Sequence, residues 1–219
     1  MKNVRIWFRK VDACKYISHL DLNRTMTRAI RRAEVPLWYT EGFNPHPFIT
    51  FPLPISLGID GINECMDIRI IDDRYDLSLI PERMNTFLPE GIRVREATDA
   101  KLDAKYIAFA KYTAELSCEA LTVTELAEKL REILSGNELV IEKKTNAGMK
   151  DVDILRYIKE IEIAENSESV KLDVTLPAGN TTNIGLTLLL KALEKYMNTE
   201  LNFTMIRHGL FTEEMKPFA

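Results

Sequence analysis

The chain has 219 residues, 46% of them hydrophobic and 28% charged, with a formal net charge of −4. That is enough apolar material for one large core or two small ones, and the acidic balance argues against a generic polyanion binder. Cys14, Cys65 and Cys118 are odd in number and widely spaced, without a CxxC pair or a His/Cys cluster, which argues against a disulfide framework, a structural zinc site and an iron–sulfur cluster.

"VRIWFRK" (4–10) alternates as a strand, and "SHLDLNRTMTRAIRRA" (18–33) follows with a helical period. Leu22, Met26, Ala29, Ile30 and Ala33 form its apolar stripe, Ser18 suits the N-cap with Asp21 three residues on, and Pro36 is expected to stop it. "PLWYT" (36–40) reads as a short strand, and "FITFPLPISLGI" (48–59) as an extended edge or bulge, since Pro52 and Pro54 cannot donate to a ladder. "ECMDIRII" (64–71) is a strand, "DLSLIPERMNTFLP" (76–89) a helix and "GIRVREA" (91–97) a strand.

The polar stretch 98–105 breaks this pattern, and the order then recurs. "YIAFAKYTAELS" (106–117) is a strand, "TVTELAEKLREILS" (122–135) a helix with a Thr122/Glu125 capping box, and "ELVIEKKT" (138–145) a strand. Residues 157–165 and 169–177 pair as a hairpin, 183–197 is a helix, and 202–208 a last strand. "TNAGMKD" (145–151), flanked by Lys143, Lys144 and Lys150, reads as a flexible hairpin connection that could also bend over a phosphate. The expectation is an α+β protein of two tandem ferredoxin-like β-α-β-β-α-β domains with antiparallel sheets, residues 1–99 and 104–219; a single α+β domain is the rival.

Charge is uneven: Lys and Arg exceed Asp and Glu by five in residues 1–50, and the reverse holds in residues 51–100. The basic segment holds two of the three histidines. On the first helix Asp21, Arg24, Arg28 and Arg32 share a face, with Arg31 alongside. Planar guanidinium forks suit phosphate or carboxylate, although a charged stripe is also what a solvated helix face looks like. His19, at the first turn, could act as a general acid/base or an anion contact, or simply cap and pack. In "GFNPHPFITFPLP" (42–54) Pro45 and Pro47 stiffen the backbone around His46, while Gly42 and Asn44 permit a turn. That holds a site residue as well as it shapes a bulged edge strand. A metal site from His19, Asp21 and His46 has suitable ligand types but no clustering.

"YISHLDLNRTMTRAIRRAEVPLWYTEGFNPHPFITFPLPISLGIDGINECMDI" (16–68) resembles, without a gap, the N-terminal signature of an uncharacterised radical-SAM-linked protein family, and "KDVDILRYI" (150–158) resembles a second, shorter motif. Thr40-Glu41 and Asp60-Gly61 depart from the usual residues, and neither touches His19, Asp21, Asn44 or His46. The resemblance implies a stand-alone companion, without a cofactor of its own, to a radical SAM protein with a cobalamin-binding-like region encoded nearby, in a setting linked to ribosomes and RNA.

Two functions follow as expectations. One is a binding or substrate-presenting protein in which Asp21, Arg24, Arg28, Arg32, Asn44, His46 and Lys150 contact RNA or another substrate. The other, by fold-level analogy with CRISPR repeat-processing endoribonucleases, is a metal-independent nuclease with His19 and His46 as acid and base. With no window near twenty apolar residues and a strand-like start, the expected location is the cytoplasm, without a membrane partner.

Overall fold

The computed structural model describes residues 1–145, 148–179 and 182–219. The chain is α+β and divides into two compact units, Met1–Tyr106 with Pro217–Ala219, and Ile107–Lys216; the strand pairs within each unit are antiparallel. Among the described residues no helix is long and apolar enough to cross a membrane.

In the first unit β1 (Lys2–Lys10) lies between β3 (Asp60–Ile70) and β4 (Ile92–Asp99), and β2 (Ile49–Thr50) adds to the far side of β3. Val4, Ile6 and Phe8 of β1 are buried beneath Leu22, Met26, Ala29 and Ile30 of α1 (His19–Arg32) and Ile80 and Met84 of α2 (Leu79–Asn85). On the opposite face Arg5 is fully buried: its guanidinium pairs with both carboxylate oxygens of Asp67 at 2.8 and 2.9 Å, and lies 4.0 Å from the ring of Phe218. A buried Arg is tolerable there because the fork is bidentate and its charge is matched.

Helix α1 stops before Pro36 can act. Glu34 takes a left-handed φ of +54°, its N–H donates to Arg31 at 3.2 Å, and that of Val35 donates to Ile30 at 3.4 Å. This pair of reversed bonds is a Schellman termination, with buried Val35 as its apolar contact and Pro36 following the stop. The strand expected at 36–40 is instead two isolated bridges, Leu37 to Ile70 and Tyr39 to Pro47. β2 is only two residues long because the donor-less Pro47 and Pro52 bracket it. The helix expected over 76–89 is the seven-residue α2.

In the second unit the strand order is β10 (Asn202–Phe211), β5 (Phe109–Ser117), β9 (Val170–Pro177), β8 (Glu160–Glu165). One face is covered by α3 (Val123–Leu134), which opens with the complete Thr122/Glu125 capping box, and α4 (Leu186–Met197). The strand expected at 138–145 does not join this sheet. It is β6 (Val140–Thr145), paired with β7 (Gly148–Asp153) in a separate ribbon. The alternation of 148–153 is too polar to announce a strand, and positions 146 and 147 of the expected connection lie outside the described residues.

Candidate functional site

At the start of α1 the Ser18 hydroxyl donates to Asp21 Oδ2 at 2.8 Å and accepts the Asp21 N–H at 3.1 Å, while Arg24 Nη1 donates to Asp21 Oδ1 at 3.3 Å. Asp21 is therefore engaged as a helix cap, where its charge also complements the helix dipole. Beyond it Arg24, Arg28, Arg31 and Arg32 are exposed along the helix, with Arg24, Arg28 and Arg32 about 6 Å apart in successive turns. Arg32 lies 6.0 Å from the ring of Phe87. Arg28 and Arg31 have no ion-pair or hydrogen-bond partner among the described residues, so their forks are open to a ligand.

The stretch 38–48 is a braced loop. The rings of Trp38 and Phe48 meet at an angle, 6.1 Å apart, and the Arg69 guanidinium packs against both at 5.0 and 4.7 Å, while Arg69 Nε donates to Asn3 Oδ1 at 3.0 Å. Above this stem Thr40 N–H donates to His46 O at 2.9 Å, and His46 N–H donates to Thr40 Oγ1 at 3.2 Å. His46 Nδ1 lies 3.2 Å from Asn44 O and 3.0 Å from Thr40 Oγ1. A carbonyl can only accept, so the contact with Asn44 O is a hydrogen bond in the Nδ1–H tautomer, whereas the Thr40 hydroxyl can serve either tautomer. Gly42, at φ +126°, turns the tip in a conformation that L side chains rarely adopt. Phe43 then stands fully exposed at 107%. No motif marks Phe43; its one signal in the sequence is a large apolar residue between Gly42 and Asn44-Pro45.

The first helix and the proline-rich stretch do meet, but through Phe51: its ring stands edge-on to His19, with centroids 5.1 Å apart. His46 precedes Phe51 by five residues of extended chain, a reach of up to about 16 Å. The contacts of the two imidazoles are separate, His19 with Phe51 and His46 with Thr40 and Asn44. Among the described residues no group of His, Cys, Asp and Glu could hold a metal ion. Lys150 belongs to the second unit, exposed on β7 across from Lys143.

The second unit carries a polar cluster that the sequence reading missed. On the helix-free face of its sheet Thr113 Oγ1 bonds to Asp173 Oδ1 and lies 2.7 Å from His208 Nε2, while Lys171 Nζ is 2.6 Å from Asp173 Oδ2. The single hydroxyl proton goes to the acceptor-only carboxylate, so His208 Nε2–H donates to Thr113 and Nδ1 keeps its lone pair. Burial pulls His208 below its ordinary value and outweighs the opposing pull of the Asp173 carboxylate. Burial alone would raise Asp173, but the bonds from Lys171 and Thr113 hold its carboxyl below the usual range. These groups, with Lys111, Glu160 and Glu162, line an open recess of about 640 Å³. Thr113, Asp173 and His208 lie up to 95 positions apart, so no local motif marks them.

A family profile described as "Uncharacterized protein conserved in bacteria (DUF2344)" matches residues 3–185. The chain belongs to this family. The matched region holds α1, the braced loop and most of the second unit's sheet, and it ends before His208. No curated protein matches this DUF2344 chain. Among solved structures, an unknown protein from Galdieria sulphuraria is 8% identical with a TM-score of 0.28, over 93% of this chain and 98% of that one. A "putative glycine cleavage system transcriptional repressor" is 12% identical with a TM-score of 0.25, over 94% and 98%.

Proposed function

We propose that this DUF2344 protein is an RNA-binding accessory protein that presents its substrate to a radical SAM partner of the cobalamin-binding type. The observation that carries the RNA part is the row of exposed guanidinium groups on α1, of which Arg28 and Arg31 are unpartnered among the described residues. Such a row suits a phosphate backbone, because each fork binds two oxygens and releases counterions on contact. An exposed aromatic at the tip of a stiff loop, Phe43, suits stacking on an unpaired base. The radical SAM partner follows from the resemblance of residues 16–68 alone. In the same reading each unit is a ferredoxin-like domain, which the strand orders β4-β1-β3-β2 and β10-β5-β9-β8 support.

The test is single-stranded RNA binding at several salt concentrations, with co-purification of the encoded neighbour. Arg28→Glu/Arg31→Glu weakens binding across sequences and lowers the log–log salt slope by about two. A flat salt response removes the RNA part, and failure to co-purify removes the partner. The alternative, a metal-independent endoribonuclease, draws on the exposure of both His19 and His46. It requires both imidazoles at one phosphodiester, and cleavage in EDTA that is lost in His19→Ala and His46→Ala alike would favour it over binding alone.

A further inference from the structure

Strand β8 ends the strand order of the second unit, so one of its edges has no neighbouring strand among the described residues. The hairpin to β9 closes with Asn166 N–H donating to Ser169 O at 2.9 Å, and the register continues through Ala164–Lys171 and Glu162–Asp173. In an antiparallel ladder alternate residues bond inward, so Ile161 and Ile163 turn their N–H and C=O groups outward. Edge strands are commonly blunted by charged side chains, above all Lys, by Pro or by a bulge, and the only charges on β8 are acidic. The β8 sequence EIEIAE contains no Lys or Pro, and its pairing with β9 runs without a register shift.

The two faces beside this edge differ. Ile161 and Ile163, with Leu134 and Arg131 of α3, line a recess of about 440 Å³. On the other face Glu160 and Glu162 border the recess that holds Asp173 and His208. Glu162 sits directly across from Asp173, a like-charge pairing that costs stability, and has no hydrogen-bond or ion-pair partner among the described residues. Of the three carboxylates there, Glu160 pairs with Lys111 at 3.5 Å and Asp173 with Lys171 at 2.6 Å, which leaves Glu162 as the unmatched charge. That face wants a cationic donor.

We propose that β8 is a docking edge for an extended basic peptide. The peptide adds as a strand to the outward N–H and C=O groups of Ile161 and Ile163, sets apolar side chains into the α3 recess, and sets Lys or Arg onto Glu162 and, in competition with Lys111, onto Glu160. Side chains on one face of a strand recur about every 6.8 Å, so basic residues at i and i+2 match the two glutamates. A second copy of β8 and a nucleic-acid backbone are both repelled by the same acids. The proposal rests on the second unit and stands or falls separately from the arginine row of α1.

The experiment is fluorescence anisotropy of the full chain with a labelled Lys-Val-Lys-Val-Lys-Val peptide, the same peptide N-methylated at alternate backbone nitrogens, and a Glu-Val repeat. Saturable binding of the first peptide is expected, weakened about tenfold or more by N-methylation and by Glu162→Lys, with no binding of the acidic repeat. Ile163→Pro removes an outward N–H that the β9 ladder does not use, and is expected to weaken binding similarly while the circular dichroism spectrum is kept. Absence of binding by the basic peptide overturns the proposal. Equal binding of the N-methylated peptide also overturns it, because attraction would then be charge alone, and this arm needs no variant that must fold.

Discussion

The imidazole of His19 stands edge-on to the ring of Phe51, with centroids 5.1 Å apart and an interplanar angle of 84°. Phe51 is in turn edge-on to Phe8 of the core at 6.3 Å. The start of α1 and the end of the proline-rich stretch are therefore joined through an aromatic stack seated on β1. Phe51→Ala is expected to cost about 2 kcal/mol, below the range for a fully buried ring because Phe51 is only half-buried. His19→Ala removes only the edge contact, about 0.5–1 kcal/mol. Urea unfolding of the two variants checks this, and equal losses would contradict it.

Ser18 and Asp21 make a helix cap before they make anything else. Ser18→Ala is expected to lower stability by about 1 kcal/mol by leaving the Asp21 N–H without its acceptor. Asp21→Ala should likewise reduce stability while leaving the salt slope of RNA binding unchanged. A change in that slope would make Asp21 part of the binding surface.

Thr40→Val leaves the backbone bond from Thr40 to His46 in place and removes both contacts of the Thr40 hydroxyl with His46. The expected result is a shift in the balance of the two His46 tautomers, read from long-range proton–nitrogen spectra of the imidazole. Unchanged nitrogen shifts would mean that Asn44 O alone fixes the ring.

His208 makes stability depend on pH in one direction. Its folded-state value lies below the ordinary 6.5, so the unfolded chain takes the proton more readily, and the contribution held above that value is lost as pH falls below it. Asp173, also lowered, adds a loss of the same sign below its ordinary 3.8. The difference in melting temperature between the native chain and His208→Gln should be constant above about pH 7 and should shrink as pH falls through the 6 range. A difference that widens on acidification would reverse the assignment.

Local patterns carried much of this. The Leu22/Met26/Ala29/Ile30 stripe, the Ser18 cap and the Thr122/Glu125 box were legible because each depends on residues within a turn or two of one another. The end of α1 was legible in place and not in cause: Pro36 marked it, but Glu34 in a left-handed conformation makes the stop. The partner of β6 was not legible, since a ribbon of mostly polar strands lacks the alternation by which a half-buried strand is recognised.

By itself the sequence determined the helix and strand periods, the caps, the basic first segment, the family signature and the stiffness of Pro45-His46-Pro47, all consequences of short-range sterics and solvation. Only the tertiary structure decided that His19 meets Phe51 while His46 bonds Thr40, that Trp38 and Phe48 pack against Arg69, and that Phe43 is left bare. It also decided that Thr113, Asp173 and His208 form one cluster and that one edge of β8 has no neighbouring strand among the described residues. These depend on strand order and register, which bring distant residues to the same row of a sheet, and side-chain alternation along a single strand does not reveal which strand lies beside it.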